Sequence, residues 1–326
     1  METQQPNWEQ RTIERIALEG IKEQRRSRRW RIFFKILLFV YLTVIIASLF
    51  IQAKQAPAYD IFGQKTTLLA GEHIALVRLN GLIAAGEPAN AEGLNATLRK
   101  AMSDDKVKGV LLLANSPGGS PVQSSEVYKT IRALKKQYKK PILTAVSDSC
   151  ASGCYYIAAA TDEIYADESS IVGSIGVISQ SFGYGEAAKK LGIDPRTFTA
   201  GENKDFMNPA RPMTDKEIAF LKTLLEDLHQ NFITAVKAGR GGRLANNAEL
   251  FSGLFWVGEK AKNLGLIDGF ATPLEVAKKI GDYPVYDYMS PDPLEKVLKK
   301  IGVEAENAVS GGLNQVLSQK NQLEFR

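Results

Sequence analysis

Two hydrophobic periods alternate along this chain. His73–Leu79, Val107–Leu113 and Pro141–Val146 are short apolar runs rich in β-formers. Such runs predict strands, and their near-continuous apolarity suits parallel strands buried on both faces. Between them the period lengthens. Residues 90–102 carry Leu94, Leu98 and Met102 at spacings of four, and residues 122–138 set Tyr128, Ile131, Leu134 and Tyr138 along one side, so both segments predict helices. Further on, 163–166 and 196–199 predict short strands, 171–178 an apolar run broken by glycines, and 185–191 a helix. The longest helix opens at Thr214-x-x-Glu217, a capping box. It carries Ile218, Leu221, Leu225, Leu228, Phe232 and Val236 on one face and stops at Gly239. Residues 255–269 predict another short helix ending at a glycine; from Tyr283 onward a Pro-containing connection leads to a weakly amphipathic tail. Strand–helix alternation of this kind predicts α/β layers joined by right-handed crossovers.

One run does not fit that scheme. Residues 32–51 are apolar for about the 20 positions needed to cross a bilayer, with Lys35 near one end where it can snorkel. The chain then divides into a basic segment (1–31), a membrane anchor (32–52), a stalk (53–72), a folded body (73–280) and a tail (281–326). Of the formal charge of +5, +4 falls within residues 1–35. Positive charge before the span predicts a cytoplasmic N-terminus and a body on the far side of an inner or cell membrane. A cleaved signal peptide, with a small-residue site around Ala53, is the competing reading; the long leading segment favours the anchor. The rest of the chain is nearly neutral, which excludes a basic body made for nucleic acid.

Chemistry concentrates in Asp148-Ser-Cys-Ala-Ser-Gly-Cys-Tyr-Tyr156. Ser152 stands where a predicted strand turns into a helix, so its hydroxyl lies near free backbone N–H groups and the positive end of the helix dipole. That setting suits a nucleophile and a developing oxyanion; the plainer reading is a run of small residues that lets strand and helix pack closely. Cys150 and Cys154 flank Ser152 and read as small buried residues of a close-packed helix rather than as a disulfide or a metal site; no histidine or acidic cluster with ligand spacing accompanies them, so no metal is expected. The chain has two histidines, His73 and His229, and neither stands in a loop suited to a triad. His229, within the longest helix, reads as structural or solvated. A serine nucleophile here needs another base, and a desolvated lysine can serve, although spacing alone does not choose among the many. Gly118-Gly119 closes a strand as a turn or a phosphate cradle, and the absence of a following Gly-Lys-Ser/Thr disfavours phosphate.

Four motifs in order, Asn115-Ser-Pro-Gly-Gly-Ser120, Ser147–Tyr156, Ile171-Val-Gly-Ser-Ile-Gly-Val177 and Gly201-Glu-Asn-Lys-Asp205, resemble those of the signal peptide peptidase A family of membrane-bound serine peptidases, family S49, in its short form with a single set of motifs. The resemblance covers roughly residues 73 to 280. It implies a crotonase-like α/β layering shared with Clp protease and built from repeated β-β-α units. It implies Ser152 as nucleophile, Lys204 as general base, Ser174 as the hydroxyl that orients the lysine, and the backbone N–H groups of Gly119 and Gly153 as oxyanion donors. The implied substrates are residual signal peptides and unfolded membrane-released segments. No cofactor and no metal are implied. The partners implied are membrane lipid around residues 32–52 and further copies of the chain, in a ring whose neighbours can share active sites. Two rivals remain, an acyl-CoA-binding crotonase-like enzyme and a catalytically silent membrane scaffold.

Overall fold

The computed structural model describes residues 71–289 without a break, residues 28–44, and positions 18, 24, 26, 58, 59, 62, 65 and 66. The chain divides into two compact units, an N-terminal one and the body.

In the N-terminal unit, residues 28–44 are helical. Its apolar side chains, Phe33, Leu37, Phe39 and Val44 among them, are about half exposed or more. Among the described residues no helix is long and apolar enough to cross a membrane. The second part of the predicted span, residues 45–52, lies outside the described residues, as do most of the stalk and the tail from 290.

The body is built on a parallel sheet. Its strands are β1 (His73–Asn80), β2 (Val107–Ser116), β3 (Ile142–Ala151), β4 (Glu163–Ala166), β5 (Ile171–Gly173), β6 (Phe255–Val257), β7 (Gly269–Phe270) and β8 (Val285–Asp287). The main path runs β8-β1-β2-β3-β4-β7, every pair parallel, while the far end of β3 pairs with β5 and β5 pairs with β6 antiparallel. Strand β3 thus forks. Its start, Leu143–Ala145, lies beside β4, and its end, Ser149–Ala151, lies beside β5.

The alternation of side chains along β1 explains the two layers. Ala75, Val77 and Leu79 face a large core with Leu94 and Leu98 of α1 (Ala91–Ser103) and Val127 and Ile131 of α2 (Pro121–Tyr138). Ile74 and Leu76 face a smaller core with Val276 and Ala277 of α7 (Pro273–Ile280). Period two places neighbours on opposite faces, and helices on both faces are what a parallel sheet requires. The intervening helices are α3 (Gly153–Ala158), α4 (Gly185–Lys190), α5 (Asp215–Arg240) and α6 (Gly258–Asn263).

Four expectations are corrected. Residues 196–199 form no strand; Phe198 is 91% exposed, and among the described residues no strand pairs with the segment. Residues 255–257 are a strand before the helix, recruited by β5. Helix α7 and strand β8 were not expected; β8 takes up the free edge of β1 (Val285 opposite Ile74), which the local pattern does not reveal. Cys150 and Cys154 form a disulfide rather than two free thiols. Their Cα atoms come within 5.1 Å because the chain reverses at Ser152, a separation suited to bridging.

Candidate active site

Ser152 is the single residue between the last position of β3 and the first of α3. Its backbone has φ +52° and ψ −123°, a conformation that side-chain-bearing residues adopt at a cost of roughly 1–3 kcal/mol unless the surroundings enforce it. The enforcement is visible. The Ser152 N–H donates to Gly173 O of β5 at 2.9 Å, the Tyr156 N–H donates to Ser152 O at 3.0 Å, and the disulfide closes a ring over the turn. Tyr155, fully buried, donates its hydroxyl to Leu266 O at 2.8 Å and roots α3 in the core; burial pushes its phenol well up from the usual value.

The loop after β2 comes up against this turn. Gly118, at φ +101°, is so close that a Cβ there would lie 2.7 Å from Gly153 N and from Ser152 Cβ. A Cβ on Gly119 would run into the carbonyl of Ile83, and one on Gly153 would stand 3.2 Å from Gly119 N and collide with Ser124 Oγ. Only glycine fits at these positions, and the backbone nitrogens of Gly119 and Gly153 lie in this crowded region next to the serine. The loop is pinned on its other side: Ile83 N–H donates to Gly118 O at 2.9 Å and Ser120 N–H donates to Ile83 O at 2.7 Å. Asn115 braces the two motifs, donating Nδ2–H to Asp148 Oδ2 at 2.8 Å and accepting from Ser149 N–H at 3.3 Å.

Ser152 opens into a cavity of about 600 Å³ that Ser174, Gly176, Ile178 and Leu225 also line. Ser174 follows β5 directly and is itself at φ +54°. The fold therefore brings the predicted nucleophile and the predicted orienting hydroxyl to one cavity. Lys204 is elsewhere. It sits exposed in the turn around 201–207, its N–H donating to Gly201 O at 3.1 Å, and it is not among the residues lining the cavity.

Sequence reasoning missed the opposite wall. Lys222, Leu225, Glu226 and His229 of α5 line the same cavity, and their spacing of three, four and seven places them on one helix face. That spacing was legible, but of its polar members the sequence singles out only His229, which reads as structural or solvated. Also missed was Arg211, whose guanidinium binds Asp205, next to Lys204, and Glu217. Among the described residues no group of acidic, histidine and cysteine side chains could hold a metal ion.

Comparison with known proteins fits this geometry. The family model described as Peptidase family S49 matches residues 134–282, a stretch that contains Ser152, Ser174 and Lys204. The chain is 34% identical over 255 residues to a candidate protease of Methanocaldococcus jannaschii, covering 75% of this chain and 81% of that one. It is 33% identical over 233 residues to a candidate signal peptide peptidase SppA of Enterococcus faecium, covering 67% of each. It is also 46% identical over 211 residues to a protein of Brucella melitensis named Na(+)/H(+) antiporter NhaA, where the match covers 63% of this chain but only 29% of the other. The chain thus spans less than a third of the length of this Brucella protein and of its Brucella abortus counterpart of the same name. By its matched residues and its relatives, the chain belongs to peptidase family S49, the SppA-like serine peptidases.

Proposed function

We propose that this chain is a membrane-anchored serine endopeptidase working through a Ser152–Lys204 dyad on signal peptides and other membrane-released segments. The observation that carries the reading is the Ser152 turn: a serine in an enforced positive-φ conformation, facing a cavity, with the Gly119 and Gly153 N–H groups beside it. Lys204, as the general base, removes the hydroxyl proton as Ser152 Oγ attacks a peptide carbonyl. The tetrahedral oxyanion rests on the two N–H groups, and the lysine then gives its proton to the leaving amine. Water next attacks the acyl-enzyme, losing its proton to the same lysine, and frees Ser152.

That Lys204 is not among the residues lining the cavity of its own chain supports a dyad assembled between copies in a homo-oligomer. Ile178, Phe182, Leu191, Phe198 and Phe220, all at least 60% exposed, supply apolar surface for such an interface. Anchoring by residues 32–52 is supported by the exposed apolar side chains of the helix over 28–44. The Cys150–Cys154 disulfide supports a body in an oxidising compartment beyond the membrane, where such bonds persist. The expected crotonase-like layering accords with the parallel sheet and its N–H pair.

The test uses the full chain in lipid or detergent, with Ser152→Ala and Lys204→Ala beside it and signal-peptide substrates. Both variants should fold, assemble and fail to cleave, and mixing them should restore a fraction of activity. Wild-type turnover by either variant would overturn the assignment of that residue, an unmodified chain that cleaves nothing would favour the scaffold reading, and binding of acyl-CoA would favour the crotonase-like one.

A further inference from the structure

We propose that His229 is a positioning residue: its imidazole, donating to the Ile175 carbonyl, holds the turn that presents Ser174 to the Ser152 cavity. The inference rests on the peptidase reading for its effect on turnover. His229 Nε2 lies 3.0 Å from Ile175 O. A carbonyl only accepts, so Nε2 carries the proton and the ring donates. Neutral and cationic imidazole both keep this donor, so the bond does not depend on the charge of His229.

The turn it holds needs holding. Ser174 is at φ +54°, and Gly173 before it is at φ +116°. Glycine takes such a backbone freely, but a serine keeps it only where neighbours over-determine it. From one side Ser174 N–H donates to Leu254 O at 2.8 Å, and within the turn Gly176 N–H donates to Ser174 O at 2.9 Å. Ile175 is fully buried and fixes the middle of the turn. His229 supplies the grip from α5, across the cavity, and it lines that cavity together with Ser152 and Ser174. Without the donor, Ile175 O turns to water, the turn relaxes, and the Ser174 hydroxyl drifts from the position in which it can orient a lysine amine. Small misplacements of this kind cost turnover far more than folding.

Two substitutions in the full chain separate positioning from chemistry. His229→Gln keeps an N–H donor and has no titrating ring; His229→Leu keeps bulk and has no donor. Two readouts are taken: steady-state cleavage of a signal-peptide substrate, and hydrogen exchange of the amides of residues 174–178, which needs no activity. The expected result is a fall in kcat of roughly 10- to 100-fold for His229→Leu with KM within about twofold, near-wild-type kcat for His229→Gln, and faster exchange at 174–178 in the Leu variant alone. Wild-type kcat and exchange in the Leu variant overturn the proposal. So does a Gln variant as inactive as the Leu variant but with protected amides, because the ring would then act through its proton. Should the wild-type protein cleave nothing in a Ser152-dependent way, the peptidase reading fails, and the exchange measurement alone decides whether His229 holds the turn.

Discussion

Arg211 and Glu217 form a two-pronged ion pair: the guanidinium donates from both terminal nitrogens, at 2.9 Å to Oε2 and 2.8 Å to Oε1. The same guanidinium donates through Nε to Asp205 Oδ2 at 2.6 Å and through Nη2 to Asp205 O at 2.8 Å. One side chain thereby fastens the Lys204 turn to the first turn of α5. A lysine cannot reproduce this fork. Arg211→Ala and Arg211→Lys are therefore both expected to lower kcat by about tenfold or more, while the melting temperature moves little because the guanidinium is 36% exposed. Steady-state kinetics and thermal melts on the same preparations check both halves.

The pair also sets an acid limit. The Arg211 guanidinium, with the Thr214 N–H, holds the Glu217 carboxyl well below the usual carboxylate range, at about 2. Hydrogen bonds from Arg211 and Asn208 lower Asp205 as well. A carboxylate with a depressed folded-state pKa contributes stability that is complete above its unfolded value and is lost as pH falls through the folded one. The stability gap between wild type and Glu217→Gln should therefore be constant at neutral pH, shrink below about pH 4.5, and vanish near about pH 2. Urea titrations at a series of pH values measure it; a gap that grows on acidification would contradict the assignment.

Much of the scaffold was legible because each element satisfies a local rule. Leu94 and Leu98 face the core as their spacing implies, Thr214 and Glu217 form the capping box, and Ser152 falls at the strand–helix junction. What was illegible depends on partners distant along the chain. Residues 285–287 become a strand only because β1 offers a free edge. Arg196–Thr199 has the composition of a strand and no neighbour to pair with. The apolar face of α5 is buried from Phe232 onward, whereas Ile218, on the same predicted face, is 39% exposed, since periodicity gives a face but not the length of its cover. The disulfide depends on the reversal at Ser152, which spacing does not announce. Lys204 could be singled out only by its motif, and the chain's own fold does not bring it to the cavity.

Arg240 is buried to 98% and bound at 2.6 Å to Asp268, with two further hydrogen bonds to Gly265 O. Burial alone would raise the Asp268 carboxyl, but hydrogen bonds from Arg240 and the Ile164 N–H bring it below the usual range. Arg240→Met should cost about 3 kcal/mol, at the lower end for breaking a buried pair, because Arg243 still reaches Asp268 at 3.2 Å. Adding Asp268→Asn should recover part of that loss, since the uncompensated charge goes with it. Chemical denaturation of the two variants tests the cycle.

The disulfide is expected to matter more to the serine than to the fold. It closes a ring from Cys150 to Cys154 with Ser152 at its centre, and both cysteines are fully buried. So small a ring restricts the unfolded chain only modestly, by about 2 kcal/mol in the chain-entropy account. The replacement Cys150→Ala with Cys154→Ala should therefore fold, with a loss of about that size. In the folded state the same bond helps to enforce the positive-φ turn on which the Ser152 hydroxyl and the Gly153 N–H depend. The double variant should react with a fluorophosphonate at Ser152 several-fold more slowly than the wild type, at equal folded fraction. Reduction of the native protein without denaturant should be slow because the sulfurs are enclosed, and it should lower the labelling rate in step with thiol release. An unchanged labelling rate in both experiments would leave the hydrogen bonds to Gly173 and Tyr156 as the sole enforcers of the turn.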